Sequence, residues 1–208
     1  MPQISAQDFK QLPLRVHDFL ADVPLHDVWA VDLPHPRTGI TLNEFLRASK
    51  AHHCRLSPGT RTLLGIRLFA GRLLGWDRPP ATHCEAFAKR LTNTDHSNSL
   101  VPAGTPEGLF RIVYRFENEQ LVELINRTAQ AAALSALVET STAYRFYFGV
   151  YVRNVSRLTP IYMSLIEPFR KFIVYPSLLR AVRATWDRTF VAVARSAPGS
   201  TGSAGRLS

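Results

Sequence analysis

Two short groups of His and Cys residues are the first feature of this sequence that suggests metal chemistry. His52, His53 and Cys54 are consecutive, and His83 and Cys84 follow further along the chain. Zinc sites usually place paired ligands a few residues apart, as in CxxC or HxxxH, so that both side chains reach one ion. Neither group has such a spacing. We therefore predict no metal site and interpret these residues as ordinary side chains.

Patterns typical of other chemistry are equally weak. Asp95, His96 and Ser97 have the residue types of a hydrolase triad, but three consecutive residues cannot adopt the triad geometry. The sequence contains no GxGxxG motif after a strand and no GxxxxGK[ST] motif, so it offers no recognisable site for nucleotide phosphates. We predict no cofactor and assign no catalytic residue, which leaves open whether the protein is an enzyme.

The charge balance raises the question of anionic partners. The 208 residues include 25 basic and 16 acidic ones, which gives a net charge of +9 and a pI near 10.1. Such a protein is a candidate for binding nucleic acid or an anionic membrane surface. The arginines, however, are spread from Arg15 to Arg206 without a block of five or six like charges. We therefore expect a scattered, solvated basic surface and disfavour both nucleic acid and peripheral membrane contact.

Cysteine content and hydropathy indicate the compartment. Cys54 and Cys84 are too few for a disulfide scaffold and fit a reducing environment. The first residues do not have the basic start and apolar stretch of a signal peptide, and no run of about 18 apolar residues occurs. We expect a cytoplasmic globular protein with an irregular lead-in at 1–24, one domain at 25–195 and a disordered tail at 196–208.

The first half of the domain predicts one strand and two helices. Trp29, Val31 and Leu33 alternate with Val28, Ala30 and Asp32, which predicts a strand over 27–33. Thr41 with Glu44 forms a capping-box pattern before a helix over 42–51, and a more apolar helix is predicted over 58–75. Residues 77–108 are rich in proline and polar residues, so they predict a long loop that is either a lid or a surface insertion.

The second half predicts a sheet followed by a long helix. Alternating aromatic residues indicate strands over 109–116 and 142–153, with one face of the last strand reaching solvent. Residues 120–128 follow a tight turn at 117–119 and are predicted to be the hairpin partner of the first of these strands. The alanine-rich stretch 129–138 is compatible with helix or strand, and we favour strand because it lies between strands. The helix predicted over 159–195 is too long for a compact domain unless it bends just before Pro168 or Pro176.

Three segments resemble a known family. GRLLGWDRP at 71–79, VPAGTPEGLFRIVYRFENE at 101–119 and LTPIYMSLIEPFRKFIVYPSLLR at 158–180 are similar to an uncharacterised bacterial family, domain of unknown function 2867, over about 25–192. That family is similar to the helix-grip superfamily of START, Bet v 1 and polyketide cyclase domains. The resemblance implies an α+β fold in which a curved antiparallel sheet wraps around a long C-terminal helix. It supplies no catalytic residues.

The function expected from this fold is binding of a small apolar or amphipathic molecule between the sheet and the long helix. Two alternatives remain, a cyclase or dehydratase-like enzyme that uses the same cavity and a basic interaction or nucleic-acid-binding module. Small residues at Ala131, Ala133 and Ser135 would leave space beside the sheet, and Arg111 or Arg115 could meet a carboxylate at its mouth. The candidate lining residues are apolar or aromatic: Phe110, Ile112, Tyr114, Tyr144, Phe146, Phe148, Leu165, Phe169 and Phe172.

Overall fold

The fold is built on one antiparallel sheet. The structure is a computed structural model that describes residues 4–51, 85–126, 129–155 and 158–192. Six strands lie in the order β1-β6-β5-β4-β3-β2, which confirms the α+β class. They are β1 (Leu25–Leu33), β2 (Pro106–Glu107), β3 (Phe110–Arg115), β4 (Glu119–Ile125), β5 (Gln130–Glu139) and β6 (Tyr144–Arg153). The alanine-rich stretch is therefore a strand, as predicted.

The helices lie on both sides of this sheet. They are α1 (Ala6–Lys10), α2 (Val16–Phe19), α3 (Leu42–Ala51), a 3₁₀ helix (Phe87–Arg90), α4 (Asn93–Asn98), α5 (Leu158–Phe169) and α6 (Tyr175–Trp186). Helix α3 occupies the predicted range, and the hydroxyl of Thr41 accepts a hydrogen bond of 3.1 Å from the amide of Glu44. The helix predicted at 58–75 lies outside the described residues, as do residues 77–84 of the predicted loop.

One face of the sheet is covered by the start of the chain. Phe9 of α1 and Val16 of α2 pack with Phe87 against residues of β4, β5 and β6, and all three are fully buried. Tyr147 and Tyr151 of β6 belong to this core. Two expectations are thus corrected: the lead-in contains two short helices with core residues, and neither face of β6 is a solvent face.

The other face carries the C-terminal helix, which runs from 158 to 191. Helix α6 places Leu179, Val182 and Trp186 in a core with Trp29 of β1 and Phe146 of β6. Tyr144 joins this core and hydrogen-bonds the amide of Ile40 at 3.0 Å. The helix therefore packs against the β1–β6 end of the sheet.

A β-bulge in β3 changes which side chains share a face. Ile112 pairs with Val122, but the next pairing joins Tyr114 to Leu121, so that two residues of β3 face one residue of β4. Tyr114 consequently lies in the core beside Phe19, with ring centroids 5.6 Å apart. The predicted face shared by Ile112 and Tyr114 is wrong beyond the bulge.

Five residues of π-helix interrupt the C-terminal helix immediately before Pro176. Residues Arg170–Val174 form this segment, and the amide of Tyr175 donates to the carbonyl of Arg170, five residues back. Proline cannot donate a backbone hydrogen bond, and its ring crowds the preceding turn, so a wider turn here relieves both problems. The irregularity lies before one of the two predicted prolines.

The π segment shifts the buried face of the helix by one residue. Inward residues beyond it are Leu179, Val182, Trp186 and Phe190. Before it, Thr159 and Met163 are buried, and Ile166, Glu167 and Arg170 are half-buried. The predicted Leu165, Phe169 and Phe172 are instead 59%, 47% and 79% exposed. With Ile173 they form an outer ridge, whereas Thr159 is a fully buried residue of the helix.

Candidate functional site

Part of the helix-side face of the sheet is only half-covered. Along β5, Ala132, Leu134 and Ala136 face the N-terminal helices and are fully buried, whereas Ala131, Ala133 and Ser135 face the other way and are half-exposed. Their partners Phe148 and Val150 on β6 are half-exposed too. β5 and β6 are inner strands, so these rows form a partly exposed surface on the helix side of the sheet. We call this surface the helix-side cavity, after the site that we propose below.

The floor of the helix-side cavity is apolar at its centre. One row runs across the sheet through paired residues: Asp27, Val150, Ala133, Val122 and Ile112. The next row runs through Trp29, Phe148, Ser135, Gln120 and Arg115. Small side chains lie on the middle strand of both rows, and charged groups lie only at the two ends. Such a surface suits a mainly apolar molecule with few polar groups.

The end at β1 is a buried polar cluster, the β1 cluster, made by Asp27, Arg170 and Tyr175. The carboxylate of Asp27 accepts hydrogen bonds from the Arg170 guanidinium and, at 3.3 Å, from the Tyr175 hydroxyl. The side chains of Asp27 and Arg170 are 2% and 13% exposed. The ring of Tyr175 contacts two groups of this cluster: the guanidinium of Arg170, 5.6 Å from its centroid, and the ring of Trp29, at 5.4 Å.

Two donors of the β1 cluster are left over. Trp29 Nε1 and Arg170 Nε are buried and have no hydrogen-bond partner among the described residues. Buried N–H groups normally find an acceptor, so two in one cluster require an explanation. Burial raises the pKa of Tyr175 well above its ordinary value, and its hydroxyl therefore stays protonated as a donor to Asp27.

The opposite end, at β3, holds a second polar group, the β3 cluster. Arg115 is buried and donates to Gln120 and, at 2.7 Å, to Glu107, which also pairs with Lys50 at 2.8 Å. Burial acts to raise the pKa of Glu107, but Lys50 and Arg115 outweigh it and hold that pKa below its usual range. These charges satisfy one another, so this end is a closed network.

The sequence comparisons give one family. A family model described as protein of unknown function (DUF2867) matches residues 19–177. The chain belongs to this family. The matched range contains all strands of the sheet and the whole β1 cluster, including the π segment that directs Arg170 inward. Comparison with curated proteins and with solved structures gives no match.

Within the DUF2867 range, the predicted lining residues divide into two groups. Ile112, Tyr144, Phe146 and Phe148 lie on the helix side of the sheet; Tyr144 and Phe146 are covered by the C-terminal helix, and Phe148 faces the helix-side cavity. Phe110 is half-buried on β3. Whether they touch a ligand stays a prediction.

Four predicted lining residues lie elsewhere. The bulge directs Tyr114 to the opposite face, and the π segment leaves Leu165, Phe169 and Phe172 on the outer ridge. In their place the structure brings in Arg170, a residue that the apolar periodicity assigns to the solvated face. Asp27 was detectable, because it continues the apolar row of Trp29, Val31 and Leu33.

Arg111 and Arg115, the two arginines predicted for the cavity mouth, are also separated by the bulge. Arg111 is exposed and donates to the carbonyl of Gly104 at 3.2 Å. Arg115 is buried in the β3 cluster. Neither is therefore a mobile cation at an opening, and only Arg115 lies on the helix side.

Buried carboxylates on the other face serve the fold. Glu119 accepts hydrogen bonds of 2.8 and 2.9 Å from the amides of Arg15 and Val16 at the start of α2, and another from the Tyr114 hydroxyl. Glu123 accepts one of 2.8 Å from the amide of Phe87. Burial raises the pKa of both carboxyl groups. They anchor short helices to β4.

A surface depression of about 640 Å³ lies beside α4. Two of its charged groups are paired with each other, because Arg15 donates two hydrogen bonds, of 3.0 and 3.1 Å, to Asp95. The hydrogen bond from Arg15 lowers the pKa of Asp95 to about 2. Asp95 also completes the capping box with Thr92. The consecutive residues Asp95, His96 and Ser97, whose types resemble a hydrolase triad, are therefore part of a capped helix.

The described part of the chain contains neither a metal-binding group nor a membrane span. No group of three His, Cys, Asp or Glu side chains there could hold a metal ion. The groups at His52–Cys54 and His83–Cys84 lie outside the described residues. No helix in the described ranges is long and apolar enough to cross a membrane.

Proposed function

We propose that this protein binds a small apolar or amphipathic molecule in the helix-side cavity. One observation carries the proposal: Ala133, Ser135 and Phe148 are only partly buried although they lie on inner strands, where a fully packed core would bury them. The apolar floor and the few polar groups at its ends fit the usual form of a small-molecule site. The resemblance to helix-grip domains points the same way, by analogy of fold.

The two alternative functions have less support. An enzyme would need an acid or base free to reach a substrate, but Asp27 is occupied by Arg170 and Tyr175. A nucleic-acid interface would need unpaired arginines on one surface. Many described arginines instead form ion pairs with carboxylates at separate places: Arg15, Arg37, Arg90, Arg115, Arg145, Arg153 and Arg170.

The test is direct binding of the neutral fluorescent probe 1-aminoanthracene. The variant Ala133→Phe places a ring over the middle of the apolar floor and should weaken probe binding at least ten-fold. The matched control Phe172→Ser removes the most exposed aromatic ring of the outer ridge and should leave binding unchanged. Thermal unfolding of both variants checks that each remains folded.

The opposite pattern would reject the proposal. If Phe172→Ser abolished the probe signal while Ala133→Phe kept it, the probe would be binding to the outer ridge. Native mass spectrometry of protein purified from its own host provides a second readout, because a co-purified molecule should be present in the natural chain and lost from Ala133→Phe.

A further inference from the structure

The outer ridge leaves four large apolar side chains in contact with solvent. Phe172 is the most exposed of them, and Leu165, Phe169 and Ile173 lie beside it on the same helix. At their exposed fractions, these side chains present roughly 400 Å² of apolar surface. A contiguous apolar patch of this size on a single chain often has a binding role.

The same helix carries cations beyond the ridge. Arg180, Arg183 and Arg188 are exposed, and none of them pairs with a carboxylate among the described residues. Arg180 donates from Nε to the carbonyl of Pro176 at 3.1 Å, and Arg188 donates to that of Ala184 at the same distance. These hydrogen bonds hold the side chains along the helix but do not neutralise their charge.

The ridge and the arginines lie on the part of the helix surface that the sheet does not cover. The backbone stays in the α region at Phe169 and Tyr175, so the helix continues through the π segment. At 1.5 Å per residue, Arg180 lies about 10 Å beyond Ile173 along the axis, and Arg188 lies about 12 Å further. An apolar strip is thus continued by a cationic strip.

Acidic side chains of this helix do not oppose an anionic partner. Residues 158–191 include five basic and two acidic residues. Glu167 is paired with Lys171 at 2.5 Å, and Asp187 is half-buried. Over this described range, the exposed charged residues are therefore all arginines.

These features favour an anionic lipid surface over a second copy of the chain. A stable dimer needs about 800 Å² per partner, which is about twice what the outer ridge offers. A second copy would also bring another net charge of +9 toward the arginines. A bilayer interface instead accepts apolar side chains and offers phosphate groups to arginine at the same time. Nucleic acid would complement the arginines but leave the ridge in solvent.

We propose that the C-terminal helix docks on anionic membranes, with the outer ridge inserted among the headgroups and Arg180, Arg183 and Arg188 bound to lipid phosphates. The sheet packs on the other side of the helix and therefore remains in water. This inference goes beyond small-molecule binding and does not depend on it.

Cosedimentation with lipid vesicles tests this inference. Vesicles of phosphatidylcholine with about 30% phosphatidylglycerol should bind the natural chain at least about ten-fold tighter than vesicles of phosphatidylcholine alone. Phe172→Ser should weaken binding to the anionic vesicles about ten-fold, because it removes an inserted ring. Arg180→Gln should weaken it about five-fold, because it removes one charge at the surface.

Two control variants match these changes near β3, away from the β1–β6 end of the sheet on which the helix packs. Leu109→Ser removes an apolar side chain that is as exposed as Phe169. Arg111→Gln removes an exposed arginine that, like Arg180, donates to a backbone carbonyl. Both controls should change binding less than about two-fold, because salt screens charges that lie far from the lipid. Thermal unfolding checks that every variant remains folded.

Several results would overturn the inference. One is a natural chain that does not bind the anionic vesicles at about 0.1 M salt, and another is an equal loss for Arg180→Gln and Arg111→Gln. A loss for Arg180→Gln without one for Phe172→Ser would mean general attraction of a basic protein, as would tighter binding to duplex DNA than to vesicles. In sedimentation velocity without lipid, a natural chain that dimerises while Phe172→Ser stays monomeric would assign the ridge to a second copy.

Discussion

Replacing Asp27 by Asn should cost this protein far more stability than the same change at Asp32 of the same strand. Asp27→Asn removes the counter-charge of the Arg170 guanidinium, which lies almost completely buried. Removing one partner of a buried ion pair typically costs about 3 to 5 kcal/mol. The exposure of Arg170, at 13% of its side chain, and the hydrogen bond that Asn can still accept place the expected loss at about 3 kcal/mol.

Asp32 provides the control because its pair is similar in type but lies in solvent. Asp32 and its partner Arg145 lie on the face of the sheet opposite to Asp27, and Asp32 accepts a hydrogen bond from Arg145. Their side chains are 61% and 44% exposed. Exposed pairs contribute about 0.2 to 1 kcal/mol. Asp32→Asn should therefore lower the free energy of unfolding by less than about 1 kcal/mol.

Urea denaturation followed by circular dichroism measures both free energies of unfolding. The double variant Asp27→Asn with Arg170→Met removes the orphaned charge and should recover most of the loss. Equal losses for Asp27→Asn and Asp32→Asn would refute our reasoning, because they would mean that water reaches the β1 cluster as freely as the outer surface. A double variant that is less stable than Asp27→Asn alone would contradict it as well.

Three further outcomes are expected. The folded pKa of Asp95 is lowered to about 2, so its pairing with Arg15 contributes about 1 to 2 kcal/mol to stability above about pH 4. This contribution is lost as the pH falls from there through the folded pKa. Urea titrations should show this loss in the natural chain and not in Asp95→Asn. The pKa of Glu119 is raised, so its effect on stability has the opposite sign: stability declines as the pH rises through the folded pKa. Glu119→Gln should cost about 2 kcal/mol in mildly acid solution, because the amide introduces a mismatched donor. This cost should be smaller at higher pH, and a constant difference would contradict the prediction. In the C-terminal helix, Phe172→Ser should change stability by less than about 0.5 kcal/mol, whereas Leu179→Ala should cost about 2 to 5 kcal/mol; equal costs would mean that the outer ridge is buried in solution.

The strands were predictable because strand alternation is a local signal. Tyr144 to Arg153 shows its period of two directly, and the alanine-rich β5 was identified from its position between two such strands. Helix α3 was predicted from the pair Thr41 and Glu44, and the Thr41 hydroxyl accepts the expected hydrogen bond from the Glu44 amide. In each case neighbouring residues alone determine the outcome.

The positions of the site residues were harder to predict because they depend on one-residue shifts. The bulge before Tyr114 and the π segment before Tyr175 each add one residue to an otherwise regular element. Each added residue changes the face on which the side chains before it lie relative to those after it. The local sequence pattern on either side does not show this change. Pro176 was a usable signal for the second shift, but it does not say how the helix accommodates the ring. Arg170 was missed for this reason.

The core residues of the N-terminal segment were missed for a different reason. Phe9 and Val16 lie in helices of five and four residues, which are too short for a period of 3.6 to be recognised. Their burial is fixed by distant partners, as when Glu119 accepts from the amide of Val16 more than one hundred residues away. Sequence periodicity contains no information about such contacts.

The strand order has a consequence for how the chain acquires its shape during synthesis. Strand β1 leaves the ribosome before every other strand but pairs with β6, which is the last to be made. Strands β3 to β6 pair with sequence neighbours through short connections and can assemble first, whereas closing the long loop to β1 is entropically slower. Until that closure, β6 is an unprotected edge that invites aggregation. Docking of β1 is therefore the step at which nascent chains are most vulnerable.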